Sequence, residues 1–505
     1  MRAIISVYDK SGIVEFAKFL QEKGVSIIST GSTYNLLKQN DINATSVENY
    51  TGFEEILDGR VKTLQYKIHA GILADLSNPK HKEELSIHNI EPIDIVVVNL
   101  YPFEQVAMRS NNTNELIENI DIGGPTLIRA ASKNYKRVLV VVDPKDYTRV
   151  MENFDNIDID FRKKCALKAF ALTSYYDSVI VEKFGYKGDT LNIGMKLKKS
   201  LRYGENPHQT ANFYRVPLKK GLPNMVQLQG KEISFNNILD IDVAYRMMIE
   251  STYLSKPFMC TIIKHNTPCG VACADNLQDA YEKALFSDPV SAFGGIVGIN
   301  GIVDGSLAKK IAERFYEVIV AFDFEKEALS ILSKKKNLIL AKVDKVDINS
   351  YKENKDIKSV VGGFVVQDSD YLDDFSYEIV TQSKPTQNQI EDLKFAWFVA
   401  KFAKSNAICF ALNSQALAIG AGQTSRVDAV KCAAQKAKDL GISLQGSVLA
   451  SDGFFPFRDN IDLAKSFGAT AFVQPGGSIR DDEVIKACNE YNLPMIFTKK
   501  RHFRH

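Results

Sequence analysis

Short apolar runs alternate with helix-forming segments through the first 150 residues, and this pattern restricts the fold more than any other feature of the chain. The β-branched runs at 93–99 and 138–142 have the length of buried strands, and Ile13–Leu20 has the spacing of an amphipathic helix. Parallel strands need a crossover connection, which is usually a helix. The alternation therefore predicts an α/β fold with a parallel sheet covered by helices on both faces.

A chain of 505 residues is too long for a single core. Residues 158–184 predict one long helix, and the segment that follows, at 185–198, has no apolar period and is typical of a linker. We therefore predict a first domain over 1–190 and a second over 198–505. The second region again alternates strands and helices, and we divide it into two α/β halves near 342–385, which opens with a surface-like run of Lys, Asp and Asn.

The balance of charge argues against several classes of partner. The net charge is +2, from 63 basic and 61 acidic residues, so no strong field recruits nucleic acid or an anionic membrane.

No apolar run reaches the roughly 18–20 residues that cross a bilayer, and Asp9 and Lys10 come too early for a secretory signal. The seven scattered cysteines are typical of reduced thiols. We expect a cytoplasmic protein that binds neither nucleic acid nor membrane.

Polar groups in the first region lie where predicted strands end. Ser29–Thr33 stands between a strand and a helix, where hydroxyls and amides can bind an anion, although Ser and Thr are also ordinary N-caps. Arg60–Thr63 adds two cations, Asp121–Gly124 precedes a helix that contains Lys133, and Tyr101 follows a buried strand. Ligand crevices of α/β sheets open at such strand ends, so the common position favours a binding site over solvated charges.

In the second region, Lys264-His265-Asn266 ends the apolar run Phe258–Ile263. A single His is more often a satisfied polar residue than a catalyst. Here a Lys precedes it at a strand end, and a neighbouring ammonium would help keep the imidazole neutral and able to act as a base. The pattern favours catalysis.

The loop at 201–209, Leu-Arg-Tyr-Gly-Glu-Asn-Pro-His-Gln, cannot form regular structure because Gly204 and Pro207 interrupt it. It is either a polar interdomain loop or a ligand loop in which Arg202 binds an anion and Tyr203 packs on a sugar or base.

Three later stretches are rich in polar residues: Ser405-Asn406, Gly422–Arg426 and Ser451–Asp459. The last also contains three phenylalanines, and aromatic side chains beside Asp and Arg suit a flat heteroaromatic ligand, with a buried aromatic turn as the alternative. Pro268–Cys273 has a Cys spacing one residue too long for a zinc deaminase signature. Gly420-Ala421-Gly422 lacks the third glycine of a dinucleotide fingerprint. The sequence therefore favours neither zinc nor nicotinamide.

Taken together, these stretches resemble a known family. The segments 201–209, 264–266, 420–426, 454–459 and 501–505 closely resemble the bifunctional AICAR transformylase/IMP cyclohydrolases of purine biosynthesis. The segments 6–12, 59–64, 99–103 and 121–124 match the cyclohydrolase half of that family, and the likeness covers the whole chain in order.

The resemblance implies a methylglyoxal-synthase-like first domain and two cytidine-deaminase-like α/β units in the second. It implies that the enzyme transfers a formyl group from 10-formyltetrahydrofolate to the 5-amino group of AICAR, giving FAICAR, and then closes the ring to IMP with loss of water. It further implies a homodimer with transformylase sites at the interface, small-molecule substrates, no metal, no redox cofactor, and room for a monovalent cation near Ser405. There are two alternatives. One is a monofunctional transformylase with a nucleotide-binding first domain, and the other is a non-catalytic nucleotide sensor.

The resemblance assigns the family's site roles to the positions of this chain that match its motifs. For formyl transfer, His265 would be the base and Lys264 would stabilise the transition state. AICAR would be held by Arg202, Tyr203, Gly294, Glu317, Asn406, Arg426 and Arg501, and the folate by Val427, Phe454, Asp459, Ser478 and Ile479.

For ring closure, the resemblance implies that Lys133 carries the proton, that Asp121 and Tyr101 polarise the reacting groups, and that Lys62 holds charge. Nucleotide contacts would come from Tyr8, Asp9, Lys10, Ser29, Thr30, Gly31, Ser32, Arg60, Thr63, Asn99 and Ile122. The chain departs from the family at Gln65-Tyr66, where His-Pro is common, and at Tyr8 and Ser32, which replace Ser and Gly.

Overall fold

The computed structural model describes residues 1–372 and 374–505, with all their side chains except that of Ser350. The chain divides into two compact units. The N-terminal unit comprises residues 1–196 and 215–218, and the C-terminal unit comprises residues 197–214 and 219–505. Within the described ranges, no helix is both long enough and apolar enough to cross a membrane.

The N-terminal unit alternates strands and helices, as the sequence predicts. Its strands are β1 (Arg2–Ser6), β2 (Ser26–Ser29), β3 (Ala44–Ser46), β4 (Ile95–Val98) and β5 (Leu139–Val141). Its helices are α1 (Ile13–Glu22), α2 (Gly31–Gln39), α3 (Val47–Thr51), α4 (Tyr66–Leu73), α5 (Pro79–Ile87), α6 (Phe103–Arg109), α7 (Thr113–Glu118), α8 (Gly123–Lys133), α9 (Tyr147–Asn153) and α10 (Ile159–Phe184), with 3₁₀ turns at Pro144–Asp146 and Phe154–Asn156.

The strands of this unit form a parallel sheet in the order β3-β2-β1-β4-β5. Side chains of successive residues point to opposite faces, so Ile5 packs into one core cluster and Ile4 into another. Both faces are therefore covered, which confirms the α/β prediction. The long helix α10 starts after Asp158, whose side chain accepts from the amide of Phe161, and ends at Gly185 with φ 71°.

The C-terminal unit contains the remaining elements. Its strands are β6 (Lys196–Leu201), β7 (Ala211–Arg215), β8 (Val226–Gln229), β9 (Phe258–Lys264), β10 (Thr267–Ala274), β11 (Ile296–Val303), β12 (Val318–Phe324), β13 (Ile339–Lys342), β14 (Lys355–Val360), β15 (Gly363–Asp368), β16 (Glu378–Ile379), β17 (Ile408–Leu412), β18 (Gln415–Gly420), β19 (Val448–Ser451), β20 (Ala471–Gln474) and β21 (Met495–Phe497). Its helices are α11 (Phe235–Glu250), α12 (Leu277–Ser287), α13 (Gly305–Ala312), α14 (Lys326–Leu332), α15 (Ile348–Lys352), α16 (Gln387–Phe402), α17 (Arg426–Asp439), α18 (Asp459–Ser466) and α19 (Asp481–Glu490), with 3₁₀ turns at Leu222–Asn224 and Ser251–Tyr253.

A mixed sheet runs through this unit in the order β16-β21-β20-β19-β17-β18-β10-β9-β11-β12-β13-β8. The order is the same when it is read outward in either direction from the β18–β10 pair. Each half begins with an edge strand and a helix, continues with an antiparallel hairpin, and adds three strands that follow helices and pair in parallel with one another. The C-terminal unit therefore contains two repeats of the same α/β arrangement of strands and helices.

The segment between the repeats carries α15 and a separate hairpin of β14 and β15. Most side chains of the hairpin are exposed. The hairpin is therefore a surface feature of the segment between the repeats.

Candidate active sites

A cleft of about 360 Å³ opens in the N-terminal unit where β1, β2 and β4 end. This is the edge of a parallel sheet at which ligands bind in α/β folds. Its lining includes twelve of the predicted residues: Tyr8, Lys10, Thr30, Gly31, Ser32, Arg60, Lys62, Thr63, Asn99, Tyr101, Asp121 and Ile122. The fold therefore brings together most of the polar groups that the sequence scatters over more than 110 positions.

Asp121 lies two residues before the first residue of α8 and is held by backbone amides. Its Oδ1 accepts from the amide of Gly124 at 2.8 Å, and its Oδ2 accepts from the amide of Tyr101 at 3.4 Å. The phenol of Tyr176 in turn accepts from the amide of Asp121 at 2.9 Å. Burial raises the pKa of Asp121 above its ordinary value, and the two amide bonds oppose that shift.

Cations surround the same cleft. The Lys10 ammonium donates to the Thr33 hydroxyl at 2.9 Å and to the carbonyl of Val7, and burial lowers its pKa. Lys62 lies 3.0 Å from the carboxylate of Glu55, and Arg60 pairs with Glu118. With the hydroxyls and amides of the 30–33 turn, these cations form a site suited to a phosphorylated ligand.

In the C-terminal unit, His265 and Asn266 form the two-residue turn between β9 and β10. Both have positive φ, 52° and 62°, as the type I′ turns of hairpins require. Lys264, at the end of β9, donates from Nζ to the carbonyls of Phe293 and Gly294 at 3.0 and 3.1 Å. A cleft of about 290 Å³ opens beside Lys264 and His265.

Glu317 lies close to this group. Its Oε2 accepts from Asn237 Nδ2 at 3.1 Å and lies 3.2 Å from Lys231 Nζ. Burial alone would raise the pKa of Glu317, but the hydrogen bonds from Asn237 and Lys231, with the charges of Lys231 and Lys264, hold it below its ordinary value. Glu317 is therefore a carboxylate near neutral pH.

The loop at 201–209 approaches the same region. Asn236, next to Asn237 on α11, donates from Nδ2 to the carbonyl of Glu205 at 3.3 Å. The Arg202 guanidinium lies 4.7 Å from the centroid of the Tyr203 ring, and its Nη2 donates to the phenol oxygen at 3.1 Å. Both side chains belong to an exposed loop whose polar groups are available to a ligand.

Arg426 is buried at the start of α17. It pairs with Asp452, donates to the Ser451 hydroxyl at 2.7 Å, and donates from Nη2 to Asn406 Oδ1 at 2.9 Å. This hydrogen bond holds together Asn406 and Arg426, two residues that the resemblance predicts as AICAR contacts. Arg501 is exposed, with its guanidinium 4.6 Å from the centroid of the Phe503 ring.

Comparison with known proteins decides the family. A family model described as the AICARFT/IMPCHase bienzyme matches residues 131–436, and one for the MGS-like domain matches residues 12–126. The bifunctional purine biosynthesis protein PurH of Aquifex aeolicus is 49% identical over 514 aligned residues, which cover 100% of both chains. The chain belongs to the AICARFT/IMPCHase bienzyme family. The PurH proteins of Persephonella marina and Caldicellulosiruptor saccharolyticus are 48% and 49% identical, each alignment covering 100% of this chain and 99% of the relative.

As a member of the AICARFT/IMPCHase family, the chain is an AICAR formyltransferase and IMP cyclohydrolase of purine biosynthesis that uses a folate co-substrate. The family match also confirms the MGS-like character of the N-terminal unit. Full-length likeness to bifunctional relatives does not favour the monofunctional alternative.

Within this AICARFT/IMPCHase chain, three predicted residues of the first site lie outside the lining of its cleft. Ser29 is fully buried and donates its hydroxyl to the carbonyl of Ile5 at 2.8 Å, and Asp9 accepts from the amide of Ser11 at 2.9 Å. Lys133 is exposed at the last position of α8. It lies about 15 Å along the helix axis from Gly123, since each residue adds 1.5 Å.

The predicted folate residues of the AICARFT/IMPCHase chain lie on the surface of the second repeat. Phe454 and Asp459 are exposed, Val427 and Ser478 are partly exposed, and Ile479 is fully exposed. The amide of Phe455 donates to Gln474 Oε1 at 2.7 Å, which ties the 454–459 segment to the end of β20, four residues before Ser478.

Thr33, which ends the predicted 29–33 turn, also lines the first cleft. Several other residues near the two clefts escaped prediction from sequence. Asp58 and Glu118 line the first cleft, and Asn237 and Lys231 support Glu317. They stand in helices and loops with no local pattern that marks them.

Proposed function

We propose that the two reactions occur at separate sites, with ring closure in the cleft of the N-terminal unit and formyl transfer beside the turn that carries His265. The observation that carries this proposal is the grouping of acid–base and anion-binding side chains at each place. Asp121, Tyr101 and Lys62 share one cleft, and Lys264 and His265 share the other.

In formyl transfer, His265 takes a proton from the 5-amino group of AICAR as the amine attacks the formyl carbon. The bond from that carbon to N10 of the folate then breaks, N10 takes up a proton, and tetrahydrofolate leaves. This amine is a poor nucleophile because the neighbouring carboxamide withdraws electrons, so a positioned base matters. Lys264 Nζ already donates to two carbonyls, and an ammonium has three protons. The third can stabilise the negative charge that develops on the formyl oxygen.

The proposed substrate contacts follow the family positions. AICAR is held by Arg202, Tyr203, Gly294, Glu317, Asn406, Arg426 and Arg501, and 10-formyltetrahydrofolate by Val427, Phe454, Asp459, Ser478 and Ile479. The proximity of Lys264 to the carbonyl of Gly294 and the Arg426–Asn406 hydrogen bond support the AICAR set. The exposed aromatic and aliphatic surfaces of Phe454 and Ile479 suit the flat pterin ring.

In ring closure, the carboxamide nitrogen of FAICAR attacks the formyl carbon, and water leaves. Asp121 and Tyr101 polarise the reacting groups, and Lys62, with Lys10, Arg60 and the 30–33 turn, holds the phosphate. The role of Lys133 as proton carrier rests on the resemblance alone, since its position at the far end of α8 lends it no support.

Further features of the family belong to the same proposal. They are a homodimer with transformylase sites at the interface, cytidine-deaminase-like units in the C-terminal region, domains at 1–190 and 198–505, and a cytoplasmic location. The repeated strand order supports the paired units. A monovalent cation near Ser405 would find the charge of Asp452, whose Oδ2 lies 2.5 Å from the Ser405 hydroxyl.

One experiment tests the proposed sites. Purified protein is mixed with AICAR and 10-formyltetrahydrofolate, and tetrahydrofolate and IMP are followed separately. His265→Asn should keep the turn, because Asn tolerates positive φ and occupies the matching position, Asn413, in the second repeat. We expect it to slow tetrahydrofolate release by about 10²–10⁴-fold, while added FAICAR is still converted to IMP. An unchanged rate of formyl transfer would exclude His265 as the base.

A further inference from the structure

The turn that carries His265 occurs twice in the C-terminal unit. His265 and Asn266 join β9 to β10, and Asn413 and Ser414 join β17 to β18 at the equivalent place in the second repeat. The two turns have the same conformation, with φ values of 52° and 62° in the first and 53° and 56° in the second. The same turn conformation therefore occurs once with an imidazole side chain and once without one.

An aspartate on the first helix of each repeat binds each turn. Asp240 follows Phe235, the first residue of α11, by five positions, and Asp392 follows Gln387, the first residue of α16, by five. Asp240 Oδ1 accepts from the amide of Asn266 at 2.6 Å. Asp392 accepts from the amides of Asn413 and Ser414 at 2.9 and 2.7 Å.

Both turns need support from the surrounding structure. A type I′ turn needs positive φ at both central positions, which is uncommon for residues other than Gly, although Asn and His adopt it more readily than most. Each turn contains one Asn, and its other central residue is His265 in the first repeat and Ser414 in the second. The conformation of each turn therefore depends on the contacts that hold it.

A second contact holds the other side of Asn266. Arg504, three residues after Arg501, donates from Nη1 to the carbonyl of Asn266 at 2.7 Å and to the carbonyl of Phe402 at 2.7 Å. Its own amide donates to the Ser405 hydroxyl at 2.9 Å. The amide of Asn266 is thus held by a carboxylate and its carbonyl by a guanidinium.

We propose that Asp240 and Arg504 are positioning residues for formyl transfer, which clamp both peptide groups of Asn266 and so fix where the His265 imidazole meets the amine of the substrate. Neither residue needs to touch the substrate. A displacement of about 1 Å in a reacting group can cost about 10²-fold in rate. This inference rests on the proposed role of His265 as the base.

The first test compares Asp240→Asn with Asp392→Asn. The second substitution removes the same charge beside the equivalent turn, which carries no proposed catalytic residue. We expect Asp240→Asn to lower the kcat of formyl transfer by about 10–10²-fold, with little change in the KM for AICAR. Asp392→Asn should leave kcat near the parent value, while urea unfolding should show a similar change in stability for the two variants. Equal kcat values in the two variants would overturn the proposal.

A double-mutant cycle separates positioning from a general structural effect. If Asp240 acts through His265, the Asp240→Asn change should cost little further rate once His265→Asn is present. Additive losses would overturn the proposal. If His265→Asn alone keeps full formyl transfer, the base assignment fails first. Should Asp240→Asn fail to fold, Arg504→Met tests the carbonyl side in the same cycle, with the same two outcomes.

Discussion

Lys401 and Glu250 form an ion pair that is almost fully removed from solvent, with 3% and 0% of their side chains exposed. Lys401 belongs to α16 and Glu250 to α11, so the pair joins the first helices of the two repeats. Glu250 Oε2 also accepts from the amide of Leu372 at 3.0 Å. Burial raises the pKa of Glu250, and Lys401 opposes that shift by stabilising the carboxylate.

Breaking this pair should destabilise the C-terminal unit. Lys401→Met leaves a buried carboxylate without its partner, which typically costs about 3–5 kcal/mol. We expect a matching fall in the free energy of unfolding, measured by urea denaturation. The double variant Lys401→Met/Glu250→Gln should recover much of the loss, because no uncompensated charge remains. Equal stability of the single and double variants would contradict this account.

The partly buried carboxylate of Asp121 should make ring closure sensitive to acid. If the carboxylate form is active, conversion of FAICAR to IMP should fall as pH drops through a pKa above the ordinary 3.8. In Asp121→Asn the slower residual reaction should lack this acid limb. Initial rates with FAICAR across the pH range check both expectations, and an unchanged limb in the variant would assign it to another group.

The same pKa shift predicts a gain in stability for Asp121→Asn. Because the folded-state pKa is raised, this group stabilises the folded protein fully only below its unfolded pKa, and that contribution is lost as pH rises through the folded pKa. At neutral pH the variant should therefore unfold at a higher urea concentration than the parent. The difference should disappear in acid, and a variant less stable at neutral pH would contradict the prediction.

Substitution of Lys62 and Lys133 tests whether ring closure involves the cleft beside the N-terminal end of α8 or the C-terminal end of that helix. Lys62 lines the cleft, whereas Lys133 is exposed at the opposite end of the helix from Asp121. We expect Lys62→Ala to slow FAICAR conversion by about 10²-fold or more and Lys133→Ala to slow it much less. Formyl transfer to AICAR, followed as tetrahydrofolate release, is the internal control and should be unchanged in both. A larger loss in Lys133→Ala would support the role that the resemblance implies.

Gly124 should be sensitive to the smallest substitution. A Cβ atom there would lie 2.6 Å from Asp121 Oδ2 and 2.7 Å from Leu100 Cδ2, so the carboxylate would have to move. We expect Gly124→Ala to lower the rate of ring closure by about 10-fold or more. Gly363→Ala, whose Cβ would meet only Val360 Cγ2 at 3.9 Å, is the control and should leave this rate unchanged.

Much of the fold follows from local pattern. The β-branched runs became β4 and β5, and the hydroxyl-rich turn opens α2. These elements could be predicted because the hydrophobic period and the turn residues that define them lie within a few positions of one another. The repeat in the C-terminal unit was predicted only as two α/β halves, because its strand order depends on contacts between residues more than 100 positions apart.

The sequence by itself determined the alternation of strands and helices, the parallel N-terminal sheet and the residues that match the family. These depend on side-chain periodicity and on short motifs, which can be read without coordinates. Only the tertiary structure decided that Asp121 and Lys62 share a cleft while Lys133 stands apart, and that Asp240 and Arg504 hold the turn of His265. Those relations come from strand ends, helix directions and hydrogen bonds between distant segments, and no local rule of sequence encodes them.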